Sequence, residues 1–184
     1  MSEAKHIAFI SESEYLADEV GSEVKHEYVA GTLFAMAGGS NRHNWIVTRL
    51  TAALSLKCAG SPCEPYNSDT KIRIQYENHT RFYYPDVSVV CHSNPDTDPF
   101  QDEPVVIVEV LSASTRRTDQ TEKKEAYLTI ASLDSYVLLD QDHERAIVYQ
   151  RSAEGFEAHV VEGPEATLNL SGIQVRLPLA ELYA

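Results

Sequence analysis

One run limits the fold more than any other feature of this chain: Val105-Val106-Ile107-Val108-Glu109-Val110-Leu111, apolar but for a single acid. β-Branched residues favour an extended backbone, and a strand without polar alternation is one covered on both faces. The run is therefore expected to be the innermost strand, with further layers on either side. Strand parity places Val105, Ile107, Glu109 and Leu111 on one face, so the acid projects among core side chains near the strand's C-terminal end. A carboxylate there costs several kcal/mol unless a cation, a metal ion or hydrogen-bond donors receive it. The competing reading is a strand end emerging into water, and the run alone leaves both open.

The rest of the chain supplies layers for such a strand. Ser11-Glu12-Ser13-Glu14 has the spacing of a capping box, predicting a short helix to about Asp18. His26 to Met36 reads as a hairpin around Ala30-Gly31, and Gly38-Gly39-Ser40-Asn41 ends it. Between His43 and Cys58, Trp45, Ile46, Leu50, Ala53 and Leu54 recur at helical spacing. Thr70 to Tyr76 alternates as a half-buried strand does, and Tyr83 to Cys91 reads as a second central strand. A helix starting at Ser114 or Thr115 and running to about Ile130 precedes strands at 135–140 and 145–149, an order that suggests a parallel crossover. Short strands and a last turn at Pro178 to Leu182 follow Gly155. The expectation is an α/β chain of mixed α+β character, a single domain over residues 1–184 with a mixed central sheet flanked by helices. Its 184 residues, 43% of them hydrophobic, suffice for one core burying roughly 70% of the unfolded surface. Cys58, Cys63 and Cys91 are odd in number and form no CxxC pair, which argues against a disulfide framework or a thiolate zinc site. With no apolar run near roughly 18 residues and no signal-like stretch in Met1 to His6, a soluble, cytoplasmic protein is expected.

Two further acids and one lysine can join Glu109. Pro85-Asp86 falls in the other central strand, where a proline removes a ladder donor and marks an edge or bulge. If the two strands pair, Asp86 and Glu109 can converge on one hard divalent cation. Asp119, Lys123 and Tyr127 are four apart and share a helix face; a lysine there could orient or deprotonate water, or neutralise charge on a phosphate. Spacing alone favours an ordinary solvated face instead, with an Asp119–Lys123 pair of little worth. Glu27 opens the hairpin, where a solvated strand end is the plain alternative. His43 is preferred as a surface or capping residue. The other histidines show no zinc spacing, and no P-loop, GxGxxG, GxSxG or helix-turn-helix signature occurs.

The ordered set His26-Glu27-Tyr28-Val29-Ala30-Gly31, His43, Tyr84-Pro85-Asp86-Val87-Ser88-Val89, Pro104 to Ser112, Thr115, Asp119, Lys123, Tyr127 and Tyr136 to Asp140 resembles the Uma-two family of the PD-(D/E)XK superfamily. The resemblance covers about residues 10–180. It implies a restriction-endonuclease-like core and a Mg²⁺-dependent phosphodiesterase site, with Mn²⁺ as a substitute ion. Asp86 then corresponds to the motif aspartate, Glu109 to the second metal-binding acid and Glu27 to an additional acid. The parent superfamily places a lysine two residues after the second acid; here that residue is Leu111, and the resemblance implies that Lys123 takes the role.

The implied function is a metal-dependent endonuclease acting on DNA. Against tight non-specific binding stands the formal charge of −13, because Lys/Arg neutralisation of phosphates supplies most such affinity. A local positive strip formed by Arg73, Arg81, Arg116, Arg117, Lys123 and Lys124 is therefore expected beside the site. Cutting both strands of a duplex calls for two sites, which makes a symmetric homodimer the assembly to test. The competing reading is a nuclease-fold protein with little or no cleavage, acting as an interaction or regulatory module. A third is the same chemistry on another substrate.

Overall fold

The computed structural model describes residues 9–113 and 115–184, so the N-terminal hexapeptide and Ser114 lie outside the described residues. Helix α1 (Glu12–Glu19) starts with the expected capping box: Ser11 caps the Glu14 amide, and the Glu14 carboxylate accepts from the Ser11 amide at 2.9 Å. Strands β1 (His26–Val29) and β2 (Thr32–Ala35) form the expected hairpin. Its two turn residues, Ala30 and Gly31, both take positive φ, 47° and 90°; this twist matches paired strands. Helix α2 (Asn41–Cys58), capped by Ser40, buries Ile46, Leu50, Leu54 and Cys58. Strands β3 (Glu64–Asn67), β4 (Lys71–Gln75), β5 (Thr80–Tyr83), β6 (Val87–Val90), β7 (Phe100–Gln101) and β8 (Pro104–Leu111) follow. A helical segment comprises α3 (Arg116–Thr118), a π-helical turn (Asp119–Lys123) and α4 (Lys124–Tyr127). The chain ends with β9 (Ser135–Asp140), β10 (Arg145–Ser152), β11 (Gly155–Glu162), β12 (Thr167–Leu170), a 3₁₀ turn (Ser171–Ile173), β13 (Val175–Pro178) and α5 (Ala180–Tyr183).

Strands assemble into a five-stranded sheet of order β2-β1-β5-β4-β7, a six-stranded sheet of order β11-β10-β9-β8-β6-β3, and the β12–β13 hairpin. The six-stranded sheet is mixed, with β8 and β9 parallel as the crossover predicts and β6, β8 antiparallel. Strand β8 is interior to it and covered on both sides. Val106, Val108 and Val110 meet α2, the β12–β13 hairpin and α5, whereas Ile107 and Leu111 face Tyr127, Ile130 and the residues Ile72, Ile74 and Tyr83 of the other sheet. Each such fully buried aliphatic side chain contributes about 1.5–3 kcal/mol. A smaller aromatic cluster of Tyr15, Tyr28, Phe82 and Phe100 seats α1 on the outer face of the five-stranded sheet.

Three expectations change. Residues 83–91 are not one strand: β5 ends at Tyr83 in the five-stranded sheet, and β6 begins at Val87 in the six-stranded one. Pro85 carries no amide hydrogen to continue a ladder, and the chain changes sheets across Tyr84-Pro85-Asp86. The helix over 116–127 is not uniformly α, since a π turn interrupts it. Cys63 and Cys91 form a disulfide, contrary to the reading from cysteine number. They lie one step beyond the Glu64↔Val90 pair of the antiparallel β3–β6 ladder, where pairing sets residues opposite each other. Sequence spacing does not reveal such a cross-strand position.

Candidate acidic site at the junction of the two sheets

Three elements and one strand break deliver side chains to one place. Glu27 comes from β1, Asp86 from the break before β6, Glu109 from β8, and Asp119 and Lys123 from the π turn. The Lys123 ammonium lies 2.7 Å from Glu27 Oε1, 3.2 Å from Glu109 Oε1 and 3.8 Å from Asp119 Oδ1. Glu109 also accepts from the Tyr127 hydroxyl at 3.4 Å and, through Oε2, from the Asp86 amide at 3.2 Å. Asp86 Oδ2 accepts from the Val110 amide at 2.7 Å and lies 3.0 Å from His43 Nε2. The Tyr84 amide donates to Glu27 Oε1 at 3.4 Å. The four residues expected from sequence therefore converge. Lys123 is turned inward and only 7% exposed, so the solvated-face reading of 119–127 does not hold.

The surroundings make the cluster acidic beyond what its cations balance. Four carboxyl groups, on Glu27, Asp86, Glu109 and Asp119, share one ammonium and one imidazole. Burial pushes the Glu109 carboxyl well up, against the pull of Lys123, and Asp86, Asp119 and Glu27 push the same way. Asp119 is raised for the same first reason, burial. Desolvation would lower the Lys123 ammonium, but Glu109, Glu27 and Asp119 overcome it and hold its proton tightly. The hydrogen bond to Asp86 raises His43. Retained protons are one answer to surplus buried negative charge; a hard divalent cation is the other.

The donor set fits such an ion. Its atoms are carboxylate oxygens, the ligands that hard cations prefer. Among the described residues, the buried Asp119 Oδ1 has no hydrogen-bond partner. Both bonds to Asp86 fall on Oδ2, which leaves Oδ1 unengaged by them. No three His, Cys, Asp or Glu side chains among the described residues form a ready-made metal cluster, and the Lys123 ammonium lies between the acids.

Sequence reasoning missed His43, Asp119 and Tyr127 as members of the site. The signal for His43 was present: His43, Ile46, Leu50 and Leu54 follow i, i+3, i+7 and i+11, the buried stripe of α2, so the histidine points inward with them. The expected positive strip is also absent in its original form. Arg73 pairs with Asp102 at 2.8 Å, Arg81 with Glu122 at 3.9 Å, Arg116 with Asp140 at 3.1 Å, and Lys123 with the site's own acids.

Residues 12–180 match the family Uma2, described as "Putative restriction endonuclease". The "Uncharacterized protein slr1290" of Synechocystis sp. (strain PCC 6803) is 35% identical over 147 residues, which cover 79% of this chain and 76% of that protein. From the same organism, "Uncharacterized protein sll1609" is 32% identical over 145 residues, covering 77% and 81%. The fold is that of a crystal structure of "a putative nuclease belonging to DUF820 from Anabaena variabilis ATCC 29413", with a TM-score of 0.75 at 18% identity over 95% of this chain and 97% of that one.

Proposed function

The chain belongs to the Uma2 family, and from that premise we propose that it is a metal-dependent endonuclease hydrolysing DNA phosphodiester bonds at the acidic site. The observation that carries the reading is the convergence of Asp86, Glu109, Glu27 and Lys123 in one buried cluster. Asp86 and Glu109, with Glu27 as third acid, would hold Mg²⁺ or Mn²⁺. When bound, the ion supplies Lewis acidity that activates water and stabilises the leaving oxygen. Lys123 keeps its proton at neutral pH; its part is to orient the attacking water and to neutralise charge growing on the phosphoryl oxygens. Tyr127 and Lys123 fix the Glu109 carboxylate from one side and the Asp86 amide from the other. His43 and the Val110 amide hold Asp86 in its rotamer.

The test is cleavage of supercoiled plasmid and labelled oligonucleotides with Mg²⁺ or Mn²⁺, comparing wild type with Glu109→Gln and Asp86→Asn at unchanged thermal stability. Each variant is expected to lower the rate by about a thousandfold. Wild type that leaves every substrate intact, or variants that cut as fast as wild type, would overturn the reading and favour a non-cleaving interaction module.

A further inference from the structure

Arg42 is the exposed cation nearest in sequence to the acidic site, one residue before His43; Arg49 shares its Trp45 ring at 4.6 Å but donates to the Glu181 carbonyl at 3.0 Å. Arg73, Arg81, Arg116 and Arg145 each meet a carboxylate. Arg42 meets two aromatic faces instead: its guanidinium carbon lies 4.7 Å from the Trp45 ring centre and 5.6 Å from that of Tyr183. Among the described residues no hydrogen bond or ion pair engages its N–H groups. A guanidinium held over aromatic rings keeps its five donors available, the form in which arginine recognises phosphate.

The floor under Arg42 leads to a second arginine. The Tyr183 hydroxyl donates to the Asp140 carbonyl, and the Asp140 carboxylate holds Arg116 at 3.1 Å. Arg117, the next residue, is exposed, and among the described residues no hydrogen bond or ion pair engages its guanidinium. Arg42 and Arg116 are thus linked through Tyr183 and Asp140 at the C-terminal end of β9, and Arg117 follows Arg116 in α3. Across His43 this group adjoins Asp86. In a chain of net charge −13, guanidinium groups left without acids beside the acidic site are those available to an external anion.

We propose that Arg42 and Arg117 form a phosphate clamp that binds the nucleic-acid backbone alongside the acidic site, with the strand running over the N-terminal end of α2 and the ends of β8 and β9. This rests on the nuclease reading for its choice of anion, but it predicts binding, which is measurable without cleavage. Arginines bound to backbone phosphates set the register of the strand and carry no base preference.

The test is fluorescence anisotropy of the full chain with fluorescein-labelled single-stranded and duplex oligonucleotides in EDTA across a salt series. Variants are Arg42→Glu, Arg42→Gln, Arg117→Glu and, as a charge-matched control, Arg176→Glu on β13, which is exposed and pairs with Asn169 of the β12–β13 hairpin. Circular dichroism and melting temperature confirm folding. Arg42→Glu is expected to weaken binding about tenfold or more, Arg42→Gln less, and each lost clamp cation to reduce the slope of log K against log salt by about one. Arg176→Glu should bind within about twofold of wild type. Equal loss in the control, unchanged binding in both Arg42 variants, or no binding by wild type at low salt each overturn the clamp. Arg42-dependent binding without any cleavage in Mg²⁺ would keep the clamp and remove the hydrolase reading. Cleavage with Arg42-independent binding would do the reverse.

Discussion

At Glu109 and Lys123 an acid and a base are buried together, and each makes the other tolerable. A buried ion pair contributes little net stability over an apolar substitute, yet removing one partner strands the other. Lys123→Met should therefore destabilise the fold by about 3–5 kcal/mol, whereas adding Glu109→Gln to it should recover part of that loss, as urea denaturation of the single and double variants will measure. Asp134 carries a different prediction. Burial works to raise its carboxyl, but hydrogen bonds from Gln150, the Gly172 amide, Ser135 and Ser171 prevail and hold it low. A carboxyl whose value is lower folded than unfolded adds stability above the unfolded value and loses it as pH falls through the folded one. Unfolding between about pH 4 and pH 2 should accordingly be less pH-dependent in Asp134→Asn than in wild type. Glu109 was legible in sequence because a lone acid in an apolar run is conspicuous. His43 was legible only in the phase of α2, because Ser40 three residues earlier makes it look like part of a helix cap.

Among the elements, the π turn at Asp119–Lys123 decides which residues of the segment 116–127 face the site. A π turn is a helix holding one residue more than its phase allows, and here Asp119 and Lys123 at its two ends meet at 3.8 Å while Tyr127 and Ile130 remain in the core. Deleting Gln120 should restore regular α phase and rotate the residues before it by about 100° relative to those after. The expected outcome is a folded protein with Asp119 and Arg116 turned away, measurable as weaker Mg²⁺ binding by calorimetry. Periodicity located this helix, the β1–β2 hairpin, α2 and the central strand β8, because each has a hydrophobic pattern of its own. It missed β3, the break after Tyr83 and the π turn. Those features depend on partners distant in sequence: β3 is a strand by virtue of pairing with β6, and the break exists because two sheets claim consecutive residues.

Over the whole molecule, the chain leaves the six-stranded sheet after β3, builds β4 and β5 into the other sheet, and returns at β6. The Cys63–Cys91 disulfide closes that excursion at its base, with a sequence separation of 28. Limiting the freedom of a loop of this length in the unfolded chain is worth about 3.5 kcal/mol; a Cys63→Ser/Cys91→Ser variant should lose about that much in denaturant titrations and be insensitive to added reductant. The change of sheets at Tyr84-Pro85-Asp86 has a further consequence. Glu27 belongs to one sheet, Glu109 to the other, and Asp86 to the seam, so neither half contains a site of its own. A chain still emerging from the ribosome, or one whose sheets have separated, holds its acids too far apart to act together. The acidic cluster is thereby complete only in molecules that have brought both sheets together, so whatever it does is tied to finished folding.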